Sequence, residues 1–162
     1  NALGFYSPDQ NLFLSDAEFL DDEDALTFHV KHHWWARDVA EPVKLNISED
    51  YSSAHFSKHS DLLRFGNQVI WIISKNATEV PKADIWLATQ NGKTPHENSY
   101  KPRLLLLGGD LGYYDRQRWV EWASPQNIDT WDCAEDGAFV QEIPMDTSGI
   151  SAVTSKLARL FP

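Results

Sequence analysis

The 162-residue chain has a single cysteine, Cys133, and no long apolar run. One cysteine permits no intramolecular disulfide, which argues against a small disulfide-stapled scaffold. The longest apolar run is Val69–Ile73, whereas a membrane-spanning helix needs about 20 apolar residues. We therefore expect a soluble chain without membrane insertion. Its compartment is left open: the cysteine content slightly favours the cytoplasm, and an exported or excised domain is the alternative.

Positive charge is also scarce. The chain has 14 lysine and arginine residues against 24 aspartate and glutamate residues, which gives a formal net charge of −10. Affinity for nucleic acid depends on clustered cations that neutralise phosphates, so the charge balance predicts that no nucleic acid is bound. Six of the acids lie between Asp16 and Asp24. Such a cluster is typical of a surface that attracts a basic protein partner.

The chain lacks common catalytic motifs. It contains neither the G-x-S-x-G turn of a serine hydrolase nor the H-E-x-x-H sequence of a zinc protease. The glycine-rich stretch 108–112 follows an apolar strand, and we interpret it as a tight turn that needs positive φ angles. Acids on both sides of Cys133 raise the pKa of a thiol and so disfavour a nucleophilic thiolate. A non-catalytic protein is therefore favoured over an enzyme.

The apolar periodicity predicts an α+β (or α/β) fold with a mixed central sheet of about five or six strands and flanking amphipathic helices. Strands are predicted over residues 26–35, 43–47, 69–74, 83–88, 103–107 and 138–143. Helices are predicted over residues 16–22, 50–65, 115–123 (or an edge strand there) and from 150 onward. A β-sandwich is the alternative. Residues 1–2 resemble the remainder of a cleaved expression tag, and residues 3–162 are expected to form a single globular domain.

Two histidines suggest a metal site. His55 and His59 are four residues apart in the predicted helix 50–65, so their imidazoles would share one helix face. With His33 as a third ligand, or His29 or Asp61 in its place, they would form an open zinc site. The residues between them lack the glutamate of H-E-x-x-H, and a solvent-facing polar stripe is the simpler interpretation. We expect no cofactor, with zinc at this site or calcium on the carboxylates of Asp21–Asp24 as alternatives.

Aromatic residues make up 12% of the chain, and seven of them are tryptophans. Adjacent residues of a strand face opposite sides, so either Trp34 or Trp35 should be exposed or covered by another element. Exposed Trp and Tyr side chains commonly anchor binding surfaces. The candidate partner-binding residues are therefore the acids and aromatics Asp21, Asp22, Glu23, Asp24, Trp34, Trp35, Tyr113, Tyr114 and Trp119.

Bases alternate with aromatics over residues 113–119, which read Tyr-Tyr-Asp-Arg-Gln-Arg-Trp. On a basic protein this composition would be typical of a surface that binds single-stranded nucleic acid. On a chain with a net charge of −10, a protein-contact or ion-pairing surface is the favoured interpretation.

These features favour a non-catalytic acidic protein-binding module of the inhibitor or immunity type. It would dock a basic protein partner through its acidic patch and its exposed aromatics. A carbohydrate- or small-ligand-binding domain is the first alternative, because exposed tryptophans also stack on sugar rings. A metal-dependent enzyme that uses His55 and His59 is the second. The oligomeric state is left open.

Overall fold

In a computed structural model of the chain, the structure describes residues 2–7, 10–36, 38–73, 79–90, 92–96, 99–141 and 143. The chain divides into two compact units, which we call unit 1 (Asn1–Tyr51) and unit 2 (Ser52–Pro162). The described residues form a three-stranded sheet and a seven-stranded mixed sheet with few helices. The predicted α+β class with a mixed sheet is therefore confirmed.

Unit 1 is built on three strands joined by one helical crossover. Strands β1 (Ala2–Tyr6) and β2 (Asn11–Ser15) are antiparallel, and β3 (Val43–Asn46) lies parallel to β2. A parallel pair needs a long crossover connection. Here it consists of α1 (Ala17–Asp21), α2 (Glu23–Leu26), a π-helix (Thr27–Lys31) and α3 (His32–Ala36).

The predicted strand over 26–35 is wrong, because this segment is helical. Leu26 and Trp34 are buried together with Phe13, and Val30 packs against the same cluster. Leu26, Val30 and Trp34 follow one another at intervals of four residues. Residues that alternate along a strand also recur every four residues, so the sequence pattern is the same for both structures. The pattern therefore also fits a helix with a wide π turn. The carboxylate of Asp22 accepts a hydrogen bond from the backbone N–H of Ala25 at 2.8 Å and begins this helix.

Unit 2 contains the larger sheet, in the order β10-β9-β8-β7-β6-β5-β4. Neighbours from β5 to β7 are antiparallel, and those from β7 to β10 are parallel. The strands are β4 (Tyr51–Ser52, beginning on the last residue of unit 1), β5 (Phe56–His59), β6 (Leu62–Phe65), β7 (Gln68–Ile73), β8 (Ile85–Ala88), β9 (Leu104–Leu107) and β10 (Asp129–Asp132). Helix α4 (Tyr113–Ala123) and a 3-10 turn (Ser124–Gln126) connect β9 to β10.

The predicted helix over 50–65 is also wrong, since the segment forms an antiparallel hairpin. Phe56 pairs with Phe65 and Lys58 pairs with Leu63, so the buried positions alternate as they do in a strand. A two-residue turn at 60–61 joins the strands, with Ser60 at a φ of 52°. Lys58 occupies one buried position because its ammonium group donates a hydrogen bond to the Ser60 carbonyl at 2.7 Å.

Other boundaries follow the sequence more closely. The predicted strands over 43–47, 69–74, 83–88 and 103–107 correspond to β3, β7, β8 and β9, and the predicted helix over 115–123 is α4. Asp16 caps α1 through its carboxylate, and the preceding Ser15 ends β2. Residues 138–141 form no strand. The predicted C-terminal helix lies outside the described residues. Within the described part of the chain, no helix is long and apolar enough to cross a membrane.

Candidate functional site

The parallel strands β7 to β10 of unit 2 end at one edge of the sheet, which we call the carboxyl edge. Their last residues are Ile73, Ala88, Leu107 and Asp132. In sheets of this kind, ligands bind outside the carboxyl ends of the strands. The segments that follow β8 and β9 therefore hold the first candidate residues.

The glycine-rich turn after β9 is hydrogen-bonded to the end of β8. Gly108 donates its N–H to the Ala88 carbonyl at 2.9 Å, and the Gln90 N–H donates to the Asp110 carboxylate at 3.1 Å. Within the described residues, positive φ among glycines occurs only at Gly66 and Gly137. The interpretation of residues 108–112 as a turn that needs positive φ is therefore wrong.

The glycines of this turn leave open space instead. A Cβ atom added at Gly109 or Gly112 would meet no atom of the described residues within 4 Å. Gly112 is the N-cap residue of α4 and offers no side chain to the first N–H groups of the helix. These N–H groups have no intrahelical partner and carry partial positive charge. The start of α4 is therefore accessible and favourable for negative charge.

Two exposed tyrosines begin α4. Tyr113 is 69% exposed and Tyr114 is 84% exposed. Their ring centroids are 5.5 Å apart, with an angle of 77° between the ring planes. The two rings are therefore not stacked on each other, and most of the surface of each remains available to a partner.

Two arginines tie α4 to its surroundings. The Arg118 guanidinium donates to the Gly92 carbonyl at 3.0 Å and forms an ion pair with Asp115 at 3.0 Å. Arg116 lies 3.6 Å from the carboxylate of Asp132, at the end of β10. Both arginines thus have acidic partners, and they position α4 against the segment after β8 and against β10.

The other face of α4 is anchored by tryptophans. Trp119 is fully buried, with its ring centroid 5.8 Å from that of Trp122. Trp122 in turn stacks on the buried Trp86 of β8 at 5.5 Å. The predicted role of Trp119 as a partner-binding residue is therefore wrong, because a helix buries one side and this side chain lies on it.

Cys133 directly follows β10, and its N–H donates to the Leu107 carbonyl at 3.0 Å. Burial raises the pKa of its thiol, and the nearby carboxylates of Asp132 and Asp136 raise it further. A hydrogen bond with the Phe139 backbone acts in the opposite direction. The thiol is therefore expected to stay protonated and poorly nucleophilic.

The acidic patch of unit 1 partly serves the fold. Asp22 caps α2, as described above, and Glu23 forms ion pairs with Lys31 and Lys44. The hydrogen bond from Lys31, followed by that from Lys44, lowers the pKa of Glu23 from 4.5 to about 2. Asp21 and Asp24 are exposed. Two of the four predicted partner-binding acids are thus engaged within the unit.

Acidity is distributed very unevenly between the units. Unit 1 holds 11 acids against 3 bases, a net charge of −8, whereas unit 2 holds 13 acids against 11 bases, a net charge of −2. The whole-chain value of −10 therefore describes unit 1. Unit 2 is itself uneven, since residues 108–137, which include α4, hold seven acids against two bases.

The adjacent tryptophans of unit 1 differ in exposure, as the sequence argument allowed. Trp34 is buried and donates its indole N–H to the Tyr6 hydroxyl at 3.1 Å. It is therefore not available to a partner, which corrects its assignment as a binding residue. Trp35 is 62% exposed and packs edge-on against His32 at 5.1 Å.

The predicted metal ligands do not share a helix face. His55 precedes β5 and His59 ends it, and four residues of extended strand span about 13 Å. Because the segment is not helical, the imidazoles of His55 and His59 are not brought together by an i,i+4 spacing. The side chain of His33 lies outside the described part of the structure. Among the residues that are described, no group of three or more His, Cys, Asp or Glu side chains could hold a metal ion.

Unit 2 is thus an α+β domain whose accessible carboxyl edge carries an exposed aromatic pair. The family model of the ComEC C-terminal domain matches residues 1–143. The chain therefore belongs to the ComEC C-terminal domain family. No curated protein and no solved structure gives a match.

This membership corrects two predictions. A ComEC C-terminal domain is a domain of a DNA-uptake competence protein. It therefore contradicts an acidic module of the inhibitor or immunity type, and it contradicts a basic protein partner with no nucleic acid. The prediction without nucleic acid rested on the charge of the whole chain, most of which comes from unit 1.

Proposed function

We propose that this domain contributes to DNA uptake by associating with single-stranded DNA at the carboxyl edge of unit 2. The observation that carries the proposal is the exposed pair Tyr113 and Tyr114 at the open start of α4. Aromatic side chains bind single strands without sequence preference, since every base offers a π face. A protein that handles DNA of any sequence needs such a contact.

Three features around the tyrosines support this proposal. The open space at Gly109 and Gly112 leaves room for a strand beside the rings. The uncapped N–H groups of α4 favour a phosphate oxygen. The net charge of unit 2 is −2 and that of unit 1 is −8, so unit 2 as a whole repels a DNA strand less than unit 1 does.

The geometry favours a single strand over a duplex. Stacking on a tyrosine requires a base whose face is uncovered, and the bases of a duplex are already stacked. Duplex binding depends on many cations that contact phosphates, and the two arginines of α4 already have acidic partners. With a 77° angle between the rings, each tyrosine would stack on a different base.

The test compares DNA binding by the intact chain and by variants. Fluorescence anisotropy measures the Kd of a labelled oligothymidine and of a duplex of equal length. Stacking contributes about 1–3 kcal/mol per base, so Tyr113→Ala and Tyr114→Ala should each raise the Kd about 5- to 150-fold. Tyr100→Ala is the matched control, because Tyr100 is 42% exposed and precedes β9 at the opposite edge.

Two results would contradict the proposal. One is a Tyr113→Ala/Tyr114→Ala double variant that binds oligothymidine as tightly as Tyr100→Ala does. The other is tighter binding of the duplex than of the single strand by the unmodified chain.

A DNA-uptake system works at a membrane, so we expect the domain to act beside one. The chain has a single cysteine, and this cysteine content slightly favours the cytoplasmic side of that membrane. Protease protection of the full-length protein in right-side-out and inverted vesicles would test this expectation.

A further inference from the structure

We propose that unit 2 also holds a phosphate-binding pocket, separate from the tyrosine pair. A cavity of about 370 Å³ opens between the segment that joins β4 to β5 and the turn between β6 and β7. Its polar lining consists of Ser52, Ser53, His55, Ser57, Arg64 and Asn67. All of these residues belong to unit 2.

The lining has the chemistry of an anion site. Arg64 carries a permanent positive charge on a planar guanidinium whose N–H groups match the oxygens of a phosphate. The serine hydroxyls and the asparagine amide can each donate a further hydrogen bond. Among the described residues, no carboxylate lines the cavity, although the chain has 24 acidic residues. An anion would therefore meet a cation and neutral donors there.

The strand register places the key side chains together. Arg64 on β6 pairs directly with Ser57 on β5, and directly paired residues have Cβ atoms about 5 Å apart on one face of the sheet. The neighbours Leu63 and Phe65 are buried, so the alternation along β6 directs Arg64 to the opposite, open face. The hairpin thus holds a hydroxyl beside the guanidinium.

Backbone hydrogen bonds hold the two sides of the pocket. The Gly66 N–H donates to the His55 carbonyl at 3.0 Å, and the Ser53 N–H donates to the Phe56 carbonyl at 2.7 Å. The first bond joins the turn after β6 to the segment before β5. The lining is therefore part of the sheet framework, which is the condition for binding without a large ordering cost.

Position and size define the ligand class. Residues 66–67 immediately precede β7, so the pocket lies at the amino end of the strand whose other end forms part of the carboxyl edge. Cavities of about 300–1,000 Å³ accommodate small organic ligands, so there is room for more than the phosphate itself. The ligand is a phosphate group that is carried either by a free nucleotide or by a DNA strand.

The test uses NMR titration of the intact chain with inorganic phosphate, deoxyadenosine monophosphate and phosphate-free deoxyadenosine. Both phosphate compounds should shift the backbone signals of Ser57 and Asn67, and deoxyadenosine should not. Arg64→Gln should weaken phosphate binding at least about tenfold, since a hydrogen bond to a charged group is lost. Arg103→Gln is the matched control, because this exposed arginine bonds to Gln68 and does not line the cavity.

The source of the phosphate is decided with oligothymidine. If Arg64→Gln weakens binding of the strand, the phosphate belongs to DNA; if it weakens only the mononucleotide, the ligand is a free nucleotide. Ser57→Ala is a second variant, expected to weaken phosphate binding several-fold. The proposal is overturned if no phosphate compound shifts the pocket signals, or if Arg64→Gln binds phosphate like the unmodified chain. Neither result bears on the tyrosine pair, whose variants leave this pocket intact.

Discussion

Replacing Trp119 with alanine separates stability from binding on a single helix. Trp119 is fully buried in the core of unit 2, whereas Tyr114 on the same helix is 84% exposed. Removal of a buried tryptophan typically costs about 3–5 kcal/mol, from lost burial and from the cavity left behind. Replacement of an exposed residue outside any special feature usually changes stability by less than about 0.5 kcal/mol.

These magnitudes translate into thermal unfolding. For a chain of this size, 1 kcal/mol lowers the Tm by roughly 2–4 °C. Trp119→Ala should therefore unfold about 6–20 °C below the unmodified chain, and Tyr114→Ala should unfold within about 2 °C of it. Circular dichroism during heating provides the measurement. Oligothymidine anisotropy, recorded well below both transitions, provides the second readout.

The two variants should show opposite effects. Trp119→Ala should lose stability and keep most of its affinity for the single strand, whereas Tyr114→Ala should lose affinity and keep its stability. A Trp119→Ala chain with an unchanged Tm and a large loss of affinity would refute the argument, because the indole would then be a contact residue. Trp119→Phe should fall between the unmodified chain and Trp119→Ala in stability.

Three further outcomes are expected from single residues. The pKa of Glu23 is lowered to about 2, so the stabilisation by its ion pairs should be complete above about pH 4.5 and lost towards pH 2; NMR titration of this carboxyl checks it, and a midpoint near 4.5 would contradict it. Asp22→Ala removes the cap of α2 and should cost about 1 kcal/mol, measured by urea unfolding against Asp24→Ala, an exposed acid that caps no helix. Cys133 has a raised thiol pKa and should react with iodoacetamide more slowly than a model peptide thiol at pH 8; an equal rate would show that burial does not protect it.

The continuous apolar runs of the sequence correctly predicted strands. Val69–Ile73 and Leu104–Leu107 are strands because a buried parallel strand is apolar on both faces. A helix over 115–123 was also predicted, with an edge strand as the alternative, and the structure extends this helix to include Tyr113 and Tyr114. These elements hold the carboxyl edge, so the position of the candidate site could be predicted even though its role could not.

Segments that mix apolar and polar residues were predicted wrongly, because one apolar pattern can fit both the period of a strand and the period of a helix. Leu26, Val30 and Trp34 satisfy both an alternating strand and a four-residue helical spacing, and packing against Phe13 decided between them. Lys58 interrupts the apolar alternation of β5, yet it is buried because the Ser60 carbonyl accepts a hydrogen bond from its ammonium group. The strand propensity of a residue does not indicate whether such a hydrogen-bond acceptor will be present.

The sequence by itself determined the α+β class, the strong strands of the larger sheet and the uneven distribution of acidic residues along the chain. The tertiary structure decided which large side chains are buried: Trp119 lies on the buried side of α4, while Tyr113 and Tyr114 are exposed on the same helix. It also decided that Arg64 stands beside Ser57 at a cavity. The physical reason is the same in each case. Burial and proximity depend on which elements pack together, and residues far apart in the chain determine that packing.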